Sequence, residues 1–152
     1  MSQTEAGRPL KVLFVCVGNS CRSQMAEALA NHLGNGRVQA FSAGSHPLGR
    51  ITPETYDVMK EKAIGLEGHW SKRLRDIPVE EMDAVVGMGC EVDCPVPVGF
   101  KGRVIEWNIP DPYGSGLEYF RQVRDLIERQ VKDLLGEFQQ QGAPSPDPKC
   151  AD

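Results

Sequence analysis

The chain has 152 residues, 40% of them hydrophobic and 25% charged, with a formal net charge of −4 at pH 7; that is room for one domain with a proper core and too little for two ordinary ones. The acidic balance excludes a general nucleic-acid binder, no apolar run reaches the length of a membrane span, and Met1–Lys11 lacks the apolar core of a signal peptide. Five cysteines, an odd number, in a chain without such a signal argue against a disulfide framework and for thiol chemistry in the cytoplasm.

Residues 1–10 read as a flexible polar lead-in without visible chemistry. Val12–Val15, apolar and rich in branched side chains, predicts a buried strand. Beyond the run Cys16-Val17-Gly18-Asn19-Ser20-Cys21-Arg22-Ser23, the residues Met25, Ala26, Leu29 and Leu33 recur at helical steps, with Ser23 placed as the N-cap. Strand, tight loop and helix follow without a gap. The N–H groups of Val17 to Arg22 can therefore converge on one spot, to which the helix N-terminus adds partial positive charge. Cys16 ends the strand facing that spot, and Arg22 offers a fork-shaped cation able to hold two oxygens of a tetrahedral anion. These donors favour the thiolate, which is the nucleophilic form. The loop has neither the glycine-lysine pattern of a nucleotide phosphate loop nor the partner glycines of a dinucleotide fingerprint. A buried cysteine that merely ends a strand beside a surface arginine is the competing reading; it leaves the clustering of Gly18, Asn19, Ser20, Arg22 and Ser23 unexplained.

Val38–Phe41 predicts a second strand, after which the small residues Ser42-Ala43-Gly44 let a loop approach the anion spot closely. His46, before a proline, reads as a solvated loop histidine. Thr52-Pro53 starts a helix as N-cap and first helical residue, with Tyr56, Met59 and Ala63 along one face and Gly65 as its stop. Glu67–Arg75, with Trp70 among basic side chains, reads as a solvated connector. Asp83–Met88 predicts a third strand that enters a loop carrying Cys90 and Cys94. Cys16, Cys21, Cys90 and Cys94 can be drawn as a four-thiolate zinc site, although Arg22 opposes a cation in the same loop; two inert thiols are the blander reading. Val104–Trp107 predicts a fourth strand leading to Asp111-Pro112, where Asp111 is at least a turn former. Leu117, Phe120, Val123, Ile127, Val131, Leu134 and Phe138 trace one face of a long helix covering the sheet. Residues 139–152 are polar and proline-rich, a tail expected to be disordered, with Cys150 a bystander in it. Alternating strands and helices indicate an α/β fold with a parallel sheet.

The spacing Cys16-x5-Arg22-Ser23, set between a strand and a helix, resembles the loop of the low-molecular-weight tyrosine phosphatase and thiol-linked arsenate reductase superfamily. The likeness runs from about Val12 to Phe138. It implies a four-stranded parallel sheet flanked by helices over residues 11–138, and an oxyanion site built from Val17, Gly18, Asn19, Ser20, Cys21, Arg22 and Ser23 that takes arsenate or phosphate. It also implies a nucleophilic role for Cys16, with Ser23 hydrogen-bonding its thiolate, and a general-acid role for Asp111, which Pro112 holds extended. The pair Cys90 and Cys94, ending in Cys-Pro, resembles the arsenate-reductase branch, and Ser45–Gly49 lacks the tryptophan typical of the phosphatase branch. That branch implies a relay in which Cys16 attacks arsenate, Cys90 attacks Cys16, and Cys94 resolves the bond. The resulting Cys90–Cys94 disulfide then passes to an external thiol donor, thioredoxin by resemblance, with no tightly bound cofactor. In some relatives Asn19, Glu27 and Ser42 match positions around a bound potassium ion, but the further carboxylate of such a site is not evident here. Two alternatives stay open: a phosphatase that hydrolyses phosphotyrosine or aryl phosphates through a Cys16 phosphoenzyme, and an oxyanion-binding regulator without turnover.

Overall fold

The computed structural model describes residues 8–89 and 100–142. Four strands, β1 (Leu10–Cys16), β2 (Val38–Gly44), β3 (Ala84–Met88) and β4 (Arg103–Trp107), form one sheet in the order β2-β1-β3-β4. Every pairing is parallel, with Val12 opposite both Ala40 and Ala84. Among the described residues three α-helices, α1 (Arg22–Gly34), α2 (Pro53–Lys60) and α3 (Leu117–Gly142), accompany the sheet. No helix among the described residues is long and apolar enough to cross a membrane.

β1 lies in the middle of the sheet, so both of its faces are buried, and its two-residue alternation sorts the core. Val12, Phe14 and Cys16 face α1 and α3, in a cluster with Met25, Leu29, Phe120, Ile127 and Trp107. Leu13 and Val15 face the other way, against Val85, Ala43 and the short helical turns at Leu74–Asp76 and Val79–Glu81. The Phe14 and Trp107 rings meet with centroids 5.7 Å apart at a 44° tilt. A fully buried side chain such as Phe14 contributes about 1.5–3 kcal/mol relative to exposure. The long helical face reads as expected, with Phe120, Val123, Ile127, Val131, Leu134 and Phe138 buried and Leu117 partly buried against the same core.

Several local expectations are corrected. Ser42-Ala43-Gly44 belongs to β2, because the parallel register carries Gly44 alongside Cys16. The close approach itself is present: a Cβ on Gly44 would stand 2.5 Å from the Val17 carbonyl oxygen. Ser23 lies inside α1 rather than at its cap, which is Cys21. α2 buries Met59 as expected, but together with Thr55 and Val58; Tyr56 is half exposed and Ala63 exposed. Thr55 is accepted in the interior because its hydroxyl is in hydrogen-bond contact with Thr52 and donates to the Ser20 carbonyl. α2 stops at Lys60, and Ala63 turns left-handed at φ +60°, so Gly65 is not the stop. α3 continues to Gly142, past the domain end expected at residue 138. Residues 1–7 of the lead-in and 143–152 of the tail, Cys150 among them, lie outside the described residues.

Candidate active site

The site is assembled at the carboxyl end of β1. Each carbonyl of the loop from Cys16 to Cys21 is bonded away from the thiol. Those of Cys16, Val17, Gly18 and Ser20 accept from the N–H groups of Ser45, His46, Leu48 and Thr52, and that of Cys21 accepts from Met25. Gly18 and Ser20 take a second bond from Ser71 and Thr55, and the Asn19 carbonyl accepts from Gln24. In a trans peptide the C=O and the next N–H point in opposite directions. Outward carbonyls therefore turn the N–H groups inward, around the cradle that the sequence predicts.

Cys16 Sγ receives the Asn19 N–H at 3.3 Å and lies 3.0 Å from Ser23 Oγ. Ser23 Oγ already accepts from Asn19 Nδ2 at 2.7 Å, which leaves its own proton to give to the sulfur. Two donors thus converge on the Cys16 sulfur. Asn19 is fully buried in a left-handed conformation, φ +49°, at a position whose short polar side chain makes that conformation tolerable. The other loop sulfur has a different setting. Burial pushes the Cys21 thiol up from its ordinary range, against hydrogen bonds from Thr52, Ser20 and Thr55 that pull it down. Cys21 stays a neutral thiol beside Cys16.

Arg22 is nearly buried, and its Nη1 donates to the carbonyls of Met88 at 2.7 Å and Ile109 at 3.1 Å, at the ends of β3 and just past β4. Gly89, at φ +83°, is needed here, since a Cβ would stand 2.8 Å from that Nη1. Nη2 faces Asp111 Oδ2 at 3.6 Å. Asp111 keeps its turn-forming role as well, its Oδ1 accepting the Tyr113 N–H at 3.1 Å. Cys16, Val17, Gly18, Ser20, Cys21, Arg22 and Asp111 line one cavity of about 190 Å³, with His46, Leu48 and Tyr113 at its wall. His46 is the exposed loop histidine expected, and its loop borders the cavity. Cys90 and Cys94 lie outside the described residues.

Behind the loop, Asn19 Oδ1 accepts from the Lys72 N–H at 2.7 Å and from Gln24 Nε2 at 2.9 Å. Gln24 also donates to the Trp70 carbonyl and touches His69. Lys72 corrects the reading of Glu67–Arg75 as a solvated connector: it is buried, with its ammonium 3.7 Å from Glu27 Oε1 and 3.4 Å from Ser42 Oγ. Burial lowers its ionisation range, while Glu27 opposes that shift. The residues expected around potassium, Asn19, Glu27 and Ser42, do not fit a metal cation, because this ammonium already stands between Glu27 and Ser42 and the Lys72 N–H takes up Asn19 Oδ1. A second unit charge about 4 Å away would be repelled by about 4 kcal/mol at an effective dielectric of 20. Among the described residues there is no group of three or more His, Cys, Asp or Glu side chains that could hold a metal. Gln24, Ser71 and Lys72 are missed by sequence reasoning, since no local spacing links them to the loop.

A strand-end thiol inside an amide cradle, closed by an arginine and an aspartate on a parallel sheet, defines the class of cysteine-dependent oxyanion-transfer proteins. The chain belongs to the low molecular weight phosphotyrosine protein phosphatase family, whose model matches residues 11–143. Within that family its relatives include a glutaredoxin arsenate reductase of Synechocystis, 36% identical over 84% of this chain and 98% of the relative. A solved arsenate reductase in a phosphate-binding state superposes with a TM-score of 0.78 at 35% identity, covering 84% of this chain and 98% of that one. A thioredoxin-dependent arsenate reductase of Corynebacterium glutamicum gives 0.74 at 28% identity, over 91% of this chain and 66% of that one.

Proposed function

We propose that the chain reduces arsenate to arsenite by a thiol relay. The observation that carries this reading is the Cys16 loop, where two donors meet the sulfur at the floor of an amide cradle sized for a tetrahedral oxyanion; the arsenate reductases among its relatives support arsenate as its substrate. Arsenate enters with its oxygens on the loop N–H groups and Arg22. Cys16 attacks arsenic, and Asp111, 3.6 Å from Arg22 at the cavity, protonates the departing oxygen so that it leaves as water. Cys90 then attacks the Cys16 sulfur. The As–S bond breaks with its electron pair on arsenic, so As(V) becomes As(III) while the two sulfurs are oxidised to a disulfide. Cys94 displaces Cys16 from Cys90, and an external dithiol reduces the Cys90–Cys94 disulfide. The names of relatives support a thiol donor of the thioredoxin or glutaredoxin kind, and we assign thioredoxin. Cys16 and Cys21 are free thiols, which suits a reducing cytoplasm.

The test is a coupled assay with arsenate, thioredoxin, thioredoxin reductase and NADPH. Multiple turnover by wild type, lost in both Cys90→Ser and Cys94→Ser while aryl phosphate is still cleaved, is the expected result. No NADPH oxidation, with equal aryl phosphatase activity in all three proteins, would instead establish the phosphatase. One observation favours that second reading: Leu48 and Tyr113, about half exposed at the cavity wall, offer apolar surface to an aryl group.

A further inference from the structure

We propose that Lys72 is a built-in cation that positions the thiol loop, and that it makes the protein independent of any free monovalent ion. The inference rests on the reading of Cys16 as an oxyanion-loop nucleophile and names a residue that acts on it from behind.

The Lys72 ammonium donates to the Trp70 carbonyl at 2.8 Å and to Ser42 Oγ at 3.4 Å. Ser42 in turn donates to Glu27 Oε1 at 2.5 Å, and that carboxylate lies 3.7 Å from the ammonium. One lysine side chain therefore ties together α1 through Glu27, β2 through Ser42, and its own connector through Trp70. Burying a charge is costly unless it is paired and hydrogen-bonded. The connector bears that cost at Lys72 while its neighbours Trp70 and Arg73 stay exposed. What the buried ammonium holds still is its own backbone. The Lys72 N–H donates to Asn19 Oδ1 at 2.7 Å, and its carbonyl accepts from Gly44, the β2 residue alongside Cys16. Asn19 gives its N–H to the Cys16 sulfur and its side-chain amide to Ser23, which contacts the same sulfur. The path from ammonium to the Cys16 sulfur is one residue, one hydrogen bond and one asparagine long.

The charged and titratable groups around the ammonium are Glu27 on α1, His69 on the connector, whose Nδ1 lies 4.0 Å from Glu27 Oε2, and Asp76 on the following short turn. Glu27 is the one in ion-pair contact, so the cluster holds one cation for one anion. A loop braced in this way has no use for a free cation. Replace the lysine by a small apolar residue and the acceptors it leaves, Glu27, Ser42 and the Trp70 carbonyl, become a pocket for a small monovalent ion.

The experiment reads Cys16 without arsenate, through its alkylation rate by iodoacetamide at pH 7 and the protection that inorganic phosphate gives. Wild type should respond identically in sodium and potassium chloride. Lys72→Ala should lose about 10- to 100-fold in alkylation rate and phosphate affinity, the range expected when a supporting shift misplaces a reacting group. Ammonium or potassium chloride should restore most of that loss, and tetramethylammonium chloride at equal ionic strength should not. Lys72→Met, which keeps the apolar stem, should show the same loss with an unchanged circular dichroism spectrum if Lys72→Ala fails to fold. Stimulation of wild type by potassium, a folded Lys72→Met with wild-type alkylation and phosphate protection, or a Lys72→Ala loss that no small cation repairs would each overturn the inference. Absence of phosphate protection in wild type would instead overturn the oxyanion reading beneath it.

Discussion

Two parts of the molecule are rich in charges and hydrogen bonds, and they are built to different ends. Behind the thiol loop, Asn19, Ser23 and Gln24 are fully buried and share donors and acceptors with Lys72, Glu27 and His69. Between α2 and α3, Arg121 reaches Glu61 and Glu118 in the open, beside the Lys62–Glu128 pair, and of these residues only Arg124, which also bonds Glu61, is buried. The residue types are alike and the surroundings are not. Out of water, an unpaired donor or acceptor costs its full desolvation, so each member of the buried set depends on every other. At the surface, water and salt replace a lost partner at little cost. Burial, rather than the number of ion pairs, decides which region the protein cannot do without.

The comparison is broken most severely at Asn19. Asn19→Ala strips the Cys16 sulfur's neighbour Ser23 of a donor, leaves the Lys72 N–H and Gln24 amide without their shared acceptor, and puts alanine at a positive φ. A loss of about 2–4 kcal/mol in urea unfolding, with aryl phosphate turnover reduced at least about tenfold, is expected. A variant as stable as wild type would mean that the buried network carries no more weight than the surface one.

Asp83 is an intermediate case, partly exposed, joining the starts of β1 and β3. Burial alone would raise its carboxyl, but the Arg8 fork at 3.1 and 3.2 Å and the Lys11 N–H at 2.8 Å together hold it below the ordinary value of 3.8. A carboxylate lowered in the fold binds fewer protons there than in the unfolded chain. Its contribution is complete above the ordinary carboxylate range and lost as pH falls through the lowered one. Between pH 5 and pH 3 the melting temperature of wild type should therefore fall more than that of Asp83→Asn. Parallel curves would remove Asp83 from the acid response.

The smallest effect sharpens the other side of the comparison. Glu61 is held below its usual range by hydrogen bonds from Arg124 first and Arg121 second, yet it and Arg121 stand in solvent. Arg121→Ala should leave the melting temperature at 150 mM salt within error of wild type, by differential scanning fluorimetry. A clear drop would show that the exposed pairs act as a network after all.

How much of this was legible in the chain depends on distance along it. The Cys16–Ser23 run carries nucleophile, amides, arginine and helix start in one contiguous stretch, so its chemistry could be read locally, as could the α3 face from its period. On α2 Met59 was legible but Thr55 was not, because periodicity rates threonine as polar, and only the Ser20 carbonyl and the Thr52 hydroxyl make Thr55 welcome inside.

The sequence by itself determined the strand-loop-helix unit, the parallel α/β class and the pairing of a thiol with an anion cradle, because each is a matter of neighbours in the chain. Tertiary structure alone decided that Arg22 is anchored to the ends of two strands, that the segment after β2 takes up the loop's carbonyls, and that Lys72 brings its charge to Glu27 and Ser42. Those partners come from residues 19 to 109, and no spacing announces them; they meet because a parallel register sets the ends of β1, β2 and β3 side by side, where buried polar groups must find one another or go unpaired.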